Sequence, residues 1–374
     1  MKIVHIITGL GNGGAEGMLY RICKEQTSKS KLDIKIISLS SNDWYSLKFK
    51  KIGIKVYKIN FQKNLYDFLK LIKLIKLMIN LNPKVIQTWM YHSNLIGGII
   101  GHLFTNANIY WNIRHTHLNI KYSKISTIFI AYFLSFFSYF VPSKIIYCSH
   151  RSKKVHENKF YDKRKSIFIP NGYDNTFYPS KKKRFSFRKK NKISKSTFVI
   201  GLAARFHPEK NFNNLIKAFN IFNKKNDNAF LFLKGKNVNS KNFLLKEYTS
   251  DLPRIKYKLD NNSSNLVEFM NGIDLFVLPS LSESFPNVLA ESMLCKTPTV
   301  STNVGCAKSI ISSTGGAIVA SNDSFALFKA LKKMHSIYKI KKKWNEIKYK
   351  SRNKIIKKYN IKKVSSEYEK LWNI

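Results

Sequence analysis

Acidic residues are scarce in this chain: 21 Asp and Glu stand against 66 Lys and Arg over 374 residues, a formal net charge of +45. Glycine and proline are also few, 16 and 9, which argues against a fibrous repeat and against disorder. The four cysteines, Cys23, Cys148, Cys295 and Cys306, show neither a CxxC pair nor a Cys/His metal spacing. Disulfides and a structural zinc are therefore not expected, and a reducing, cytoplasmic setting fits. The apolar run from Thr127 to Val141 carries no charge for fifteen residues, short of the roughly twenty that a membrane helix needs. It is expected to be a buried or interfacial helix. No secretory signal is read at the N-terminus, because Ile3-Val4-His5-Ile6-Ile7 runs straight into a glycine-rich loop.

The excess of basic residues invites a nucleic-acid reading, since Lys and Arg neutralise phosphates. The basic residues are mostly Lys, however, and they accompany abundant Asn and Ile along the whole length. We read most of the excess as a composition bias; the remainder suits an anionic membrane surface. No nucleic-acid partner is expected.

What is present is a rhythm of short strands and longer helices, running twice through the chain with no tandem repeat. The first half offers strands at Lys2–Ile7, Asp33–Leu39, Lys55–Ile59, Lys84–Thr88, Asn108–Asn112, Lys144–Cys148 and Ser166–Ile169. The second offers Thr197–Leu202, Ala229–Lys234, Arg254–Lys258, Leu275–Pro279, Thr299–Thr302 and Gly316–Val319. Alternation of this kind predicts an α/β fold with two parallel, doubly wound sheets, whose ligand sites lie at the carboxyl ends of the strands. The turn Pro170-Asn171-Gly172 closes the first half, and the basic stretch Lys181–Lys195 reads as a solvated linker or surface loop. Leu65–Leu81 reads as an amphipathic helix that covers a sheet or lies against a membrane surface. The tail from about Trp344 to Trp372 reads as a Lys-rich amphipathic helix.

Three stretches can carry chemistry. Gly9, Gly11 and Gly14 make a GxGxxG pattern between a strand and a helix, but the acid wanted at the end of the second strand is replaced by Ser38-Leu39-Ser40-Ser41. A nicotinamide reading is weak for that reason; a helix N-terminus that favours phosphate remains. In the second half, Arg205 and Lys210 follow a strand's carboxyl end, where a fork and a point charge suit a diphosphate. Between Phe276 and Thr302 a strand leads through Ser280–Ser284 to Pro286, placed as a first helical residue. The helix should stop before Thr297-Pro298, and Glu283 and Glu291 bracket it with seven residues between.

Gly13-Gly14-Ala15-Glu16, Trp89-Met90-Tyr91-His92, Asn112-Ile113-Arg114-His115, Ile169–Asp174, Arg205…Lys210 and Glu283…Glu291 fall in the order seen in family 4 glycosyltransferases. The chain resembles these retaining enzymes over nearly its whole length, most specifically in the Pro-Asn-Gly-x-Asp turn and the ESFPNVLAE run. It looks most like members that build bacterial surface polysaccharide or O-antigen units. The resemblance implies a GT-B fold, two Rossmann-like domains facing a central cleft. An N-terminal acceptor-side domain would span 1–178 and a nucleotide-sugar domain 179–350, with a C-terminal helix over 351–374 crossing back to the first domain. It implies that Arg205 and Lys210 grip the donor's diphosphate, Glu283 the transferred sugar and Glu291 the ribose. Ser284, Phe285, Pro286 and Asn287 would line the phosphates, and Gly13 and Gly14 would close on the donor. His115 would stand near the reacting sugar, with His117 as its rival and His92 structural.

The expected partners are a nucleotide diphosphate sugar as substrate, a lipid-linked saccharide acceptor and an anionic membrane surface. No cofactor is expected. No Asp-x-Asp occurs in the chain, so a divalent-metal clamp lacks candidate ligands, and cations and helix ends would stabilise charge instead. Three departures stand out: Lys296 where relatives commonly have Gly, Cys306 after Gly305 where an acid is common, and Lys234-Gly235-Lys236 in place of Gly-x-Gly. The alternatives are a GT-B nucleotide-sugar epimerase, a basic membrane or nucleic-acid binder without catalysis, and the nicotinamide enzyme.

Overall fold

The computed structural model describes residues 1–374 apart from 30–31, 63–66, 117, 119, 121–122, 263 and 374. The chain divides into two units, one of residues Met1–Gly172 and Tyr359–Ile374, the other of Tyr173–Lys358.

In the first unit, β1 (Lys2–Ile7), β2 (Asp33–Ser38), β3 (Lys55–Lys58), β4 (Val85–Trp89), β5 (Asn108–Ile113), β6 (Lys144–Tyr147) and β7 (Ser166–Phe168) form one sheet in the order β3-β2-β1-β4-β5-β6-β7. Every pairing in it is parallel. Parallel strands need crossovers, and helices cover both faces, so β1, β4 and β5 are buried along nearly their whole length, polar His5, Gln87, Thr88 and Asn112 included. Two apolar clusters lie one on each side. One joins Ile3, Ile7, Met18, Ile22 and Trp89; the other joins Val4, Ile6, Leu74, Met78 and Trp111.

The helix Asp67–Leu81 contributes Leu74, Met78 and Leu81 to the second cluster. It is an amphipathic helix covering a sheet. The C-terminal helix Ile361–Leu371 adds Ile361, Val364 and Tyr368 to the first cluster, together with Trp372 just beyond it. Its Tyr368 hydroxyl accepts from Asn112 Nδ2 at 3.0 Å and from Arg114 at 2.9 Å, while Trp372 Nε1 donates to buried Gln87 at 3.1 Å. The tail is therefore two helices, since Lys341–Lys358 ends before it and belongs to the second unit.

In the second unit, β8 (Phe198–Ala203), β9 (Ala229–Lys234), β10 (Tyr257–Asp260), β11 (Leu275–Leu278), β12 (Thr299–Thr302) and β13 (Ala317–Val319) form a parallel sheet ordered β10-β9-β8-β11-β12-β13. The strand expected at Arg254–Lys258 starts three residues later, because Arg254–Lys256 is a single 3-10 turn. Both sheets reverse their winding once, at β1/β4 and at β8/β11, and the loops that follow these strands flank the switch point.

Lys181–Lys190, expected to be solvated, is helical. Phe187 packs on Phe232 and Phe269 with centroids 5.0 and 5.9 Å apart. Arg188 and Arg184 each reach Asp274 at 2.6 Å, and Asp274 also accepts the Val199 amide at 2.8 Å. One buried carboxylate thus ties this basic helix to β8 and to the start of β11, which charge counting alone could not reveal.

Candidate functional site

β8 ends at Ala203, and the chain then turns through Ala204–His207 into a 3-10 turn, Pro208–Lys210. Pro208 supplies a fixed φ at the first position, His207 caps the turn by accepting the Glu209 amide at 3.4 Å, and Asn211 leaves it left-handed at φ 47°. The helix Phe212–Asn223 starts at once. Lys210 is thereby aimed at the neighbouring loop, where its Nζ lies 2.6 Å from Glu283 Oε1. Ser280 Oγ donates to the same oxygen at 2.9 Å, and the Leu281 amide donates to the Glu209 carbonyl at 2.7 Å. The two loops that flank the β8/β11 switch point are therefore tied together by one ion pair and one backbone bond. Arg205 is exposed beside them, close enough to bias Glu209.

Glu209 is half-buried and holds its proton more tightly than an ordinary carboxyl. Burial is the main cause and the Glu283 charge adds to it, against Lys210, His207 and Arg205, which favour the anion. A cluster of three cationic or titrating side chains and two carboxylates, half shielded from water, is thus built at the carboxyl end of the sheet.

Glycines keep these loops close. A Cβ on Gly235, whose φ is +143°, would lie 2.0 Å from the Ala204 carbonyl oxygen and 3.1 Å from the Arg205 nitrogen. Gly235 therefore lets the end of β9 press directly under the Arg205 loop. Gly305, at φ +49°, sits where a Cβ would meet the Ser284 oxygen at 2.3 Å and the Glu283 oxygen at 2.5 Å. Neither glycine nor Glu209 was among the candidates, although Gly235 and Gly305 stand in two of the stretches noted as departures. The physical signal, a Gly just past a strand end, was there.

The helix after the Glu283 loop runs Asn287–Leu294, with Pro286 as its N-cap residue. It starts one residue later than expected, so Glu283–Pro286 is loop and the Glu283–Glu291 separation is only partly helical rise. Phe285 is buried, with Tyr173 6.4 Å away, centroid to centroid, and Tyr173 Oη donates to Asn287 Oδ1 at 2.7 Å. Ser284 lies between Glu283 and Phe285 in the same loop. Glu291 is buried on the helix, and burial and then the Glu291 charge push the Cys295 thiol up to about 12. The helix closes on Lys296 at φ +61°, with the Lys296 amide bonded to Met293 and the Thr297 amide to Ser292, each at 3.0 Å. That is the paired closure that favours glycine at this position, and lysine occupies it here.

In the first unit, Gly13 is the N-cap residue of the helix Gly14–Thr27. Glu16 folds back so that a Gly13 Cβ would lie 2.3 Å from its Oε2, and burial raises its pKa. His115 follows β5, with Nε2 3.1 Å from Ser123 Oγ and its carbonyl accepting from Ser152. Burial lowers its pKa and favours the neutral imidazole. His117 lies outside the described residues. Arg114 serves the fold: its guanidinium is 4.7 Å above the Trp89 ring and bonds Asn171 and Tyr368. Among the described residues no group of three or more His, Cys, Asp or Glu is placed to hold a metal ion.

Comparison with known proteins agrees with this architecture. Residues 183–351 match the family of glycosyl transferases group 1. The chain is 23% identical over 317 residues to the capsular polysaccharide biosynthesis glycosyltransferase CapM of Staphylococcus aureus, covering 82% of this chain and 81% of CapM. Among solved structures, Anabaena HepE in complex with UDP and glucose superposes with a TM-score of 0.84 at 18% identity, over 100% of both chains. A glycosyltransferase from Rickettsia africae superposes with a TM-score of 0.82 at 17% identity, over 100% of this chain and 97% of the other. The fold is GT-B.

Proposed function

We propose that the protein is a family 4 retaining glycosyltransferase of cell-surface polysaccharide synthesis. It would move a hexose or N-acetylhexosamine from a nucleotide diphosphate sugar to a lipid-linked saccharide at the anionic inner face of the cytoplasmic membrane. The group 1 family match over 183–351 and the likeness to CapM support the activity and its setting. HepE, bound to UDP and glucose, supports a UDP-sugar as the first donor to try.

The observation that carries the reading is the Lys210–Glu283 contact at 2.6 Å, with Arg205 beside it, at the switch point of the second sheet. In this reading Arg205 and Lys210 take the diphosphate and hold its charge as it leaves, and no metal is required. Glu283 accepts a hydroxyl of the transferred sugar, and Glu291 hydrogen-bonds the ribose. The loop from Ser284 through Phe285 and Pro286 to Asn287 brings amides and a helix start toward the phosphates. In the first unit, Gly13 and Gly14 allow close approach of the donor, and neutral His115 accepts a hydrogen bond near the reacting sugar. Attack from the face that the diphosphate leaves would retain the anomeric configuration.

The test is a thermal-shift panel of UDP-, GDP- and ADP-sugars followed by donor turnover. One class should stabilise the protein, and Arg205→Ala should lower turnover by about a hundredfold or more. Full turnover in that variant contradicts the reading.

A further inference from the structure

The helix Ile125–Phe137 and the turn after it present their apolar side chains in the wrong direction for a helix that only covers a sheet. Ala131 and Leu134 face inward and are fully buried. Outward stand Ile125, Phe129, Tyr132, Phe133, Phe136 and Phe140, with Phe129 70%, Phe136 64% and Phe140 62% exposed. At 100° per residue Ile125, Phe129, Tyr132, Phe133 and Phe136 fall within one stripe of the helix, Phe140 follows in the turn, and no charged side chain interrupts the stripe. Phe129 and Phe136 on the stripe and Phe140 in the turn, each with most of its surface in water, form a patch of the kind that marks an interaction site.

Its surroundings are basic. Lys124 precedes the helix and is exposed, and Lys163 is exposed at the opposite end. Lys159 Nζ lies 5.4 Å from the Tyr132 ring, and Lys165 Nζ donates to the Tyr139 carbonyl at 2.6 Å. The acids nearby are already matched: Asp162 is buried against Arg164 at 3.0 Å, and Glu157 faces Lys153 at 3.8 Å. The patch therefore combines an uncharged aromatic stripe with a cationic rim. The helix is too short to cross a bilayer, and none among the described residues is long and apolar enough to do so.

We infer that this stripe is the surface by which the protein lies on an anionic lipid bilayer, its phenylalanines in the acyl boundary and its lysines at the headgroups. A second protein surface would satisfy the rings alone; anionic headgroups satisfy the rings and the rim together. The helix Asp67–Leu81 does not share this role. Its exposed residues are Phe68, Leu69, Lys73, Lys76, Ile79 and Asn80, so two lysines break its apolar surface, whereas no charge breaks the stripe on Ile125–Phe137. The inference deepens the reading of an enzyme acting on a lipid-linked acceptor, and rests on that reading for its biological setting only.

The test is flotation of the full chain with phosphatidylcholine vesicles, one third phosphatidylglycerol or none. Wild type should float with the anionic vesicles and about tenfold less with neutral ones. Phe129→Ser/Phe133→Ser/Phe136→Ser should lose about tenfold or more of that binding while melting and binding sugar nucleotide as wild type does. Phe68→Ser/Leu69→Ser should float unchanged. A Phe129→Cys protein labelled with an environment-sensitive dye, the native cysteines being buried, should brighten on anionic vesicles and gives the answer even if the triple variant misfolds. Undiminished flotation of a folded triple variant, equal binding to neutral vesicles, an unresponsive dye, or a wild-type dimer that the triple substitution dissociates without changing flotation would each overturn the inference. Failure of the sugar-nucleotide panel leaves these outcomes untouched.

Discussion

Lys296 ends its helix with a side chain in a backbone conformation that costs an L-residue about 1–2 kcal/mol. The closure around it is complete, with both amide bonds at 3.0 Å, so glycine would relieve the strain and give back part of the gain as unfolded-chain entropy. Lys296→Gly should therefore raise the stability of the second unit by about 0.5–1 kcal/mol, read as a higher denaturation midpoint at unchanged slope. Lys210 and Glu283 call for a different argument. Their contact is only partly shielded, and Ser280 shares the carboxylate, so its loss costs little stability. Glu283→Gln should keep the melting temperature within a few degrees and lower donor turnover. A large loss of stability with turnover intact would recast the pair as structural. The position of Glu283 was legible from its motif; its partner Lys210 was legible as a cation but not as its neighbour, because 73 residues separate them.

At the scale of elements, Asp274 and Gly235 hold the site's floor. Asp274 neutralises Arg188, which is buried and otherwise loses its solvation. Asp274→Ala should cost about 3–5 kcal/mol because that charge is then left uncompensated, and Arg184 and the Val199 amide lose partners with it. Urea unfolding of the second unit measures this directly. Gly235→Ala should cost about 2 kcal/mol or more, from positive φ and from a Cβ driven into Ala204. It should also weaken sugar-nucleotide binding, since the Arg205 loop must lift. Strand positions and the strand–helix rhythm were readable because apolar runs punctuated by turns report burial directly. The basic helix Lys181–Lys190 was not, because its mean composition is that of a solvated loop. Only the packing of Phe187 and the distant Asp274 show that it is folded.

At the scale of the whole molecule, the buried histidines set an acid limit. Burial lowers His5 to about 3 and His156 to about 4, and His115 is depressed for the same reason. Each takes up its proton more readily when unfolded, at an ordinary value near 6.5. Stability is therefore full above that value and is lost as pH falls from about 6.5 toward 4. All three lie in the first unit, and in the second burial lowers His335 as well. Calorimetry should show the first unit's transition falling more steeply over that range. Two sheets of the same winding were legible from the doubled rhythm. The close approach of Gly305 to the Glu283 loop was not, because positive φ and tertiary proximity leave no periodic trace.

The central claim is that the cations after β8 hold a nucleotide diphosphate. It is tested most directly by titrating UDP into wild type and into Arg205→Ala/Lys210→Ala. Two charge-assisted contacts are removed, so the affinity should fall about a hundredfold or more with the melting temperature preserved. Equal affinity in the two proteins would contradict the account.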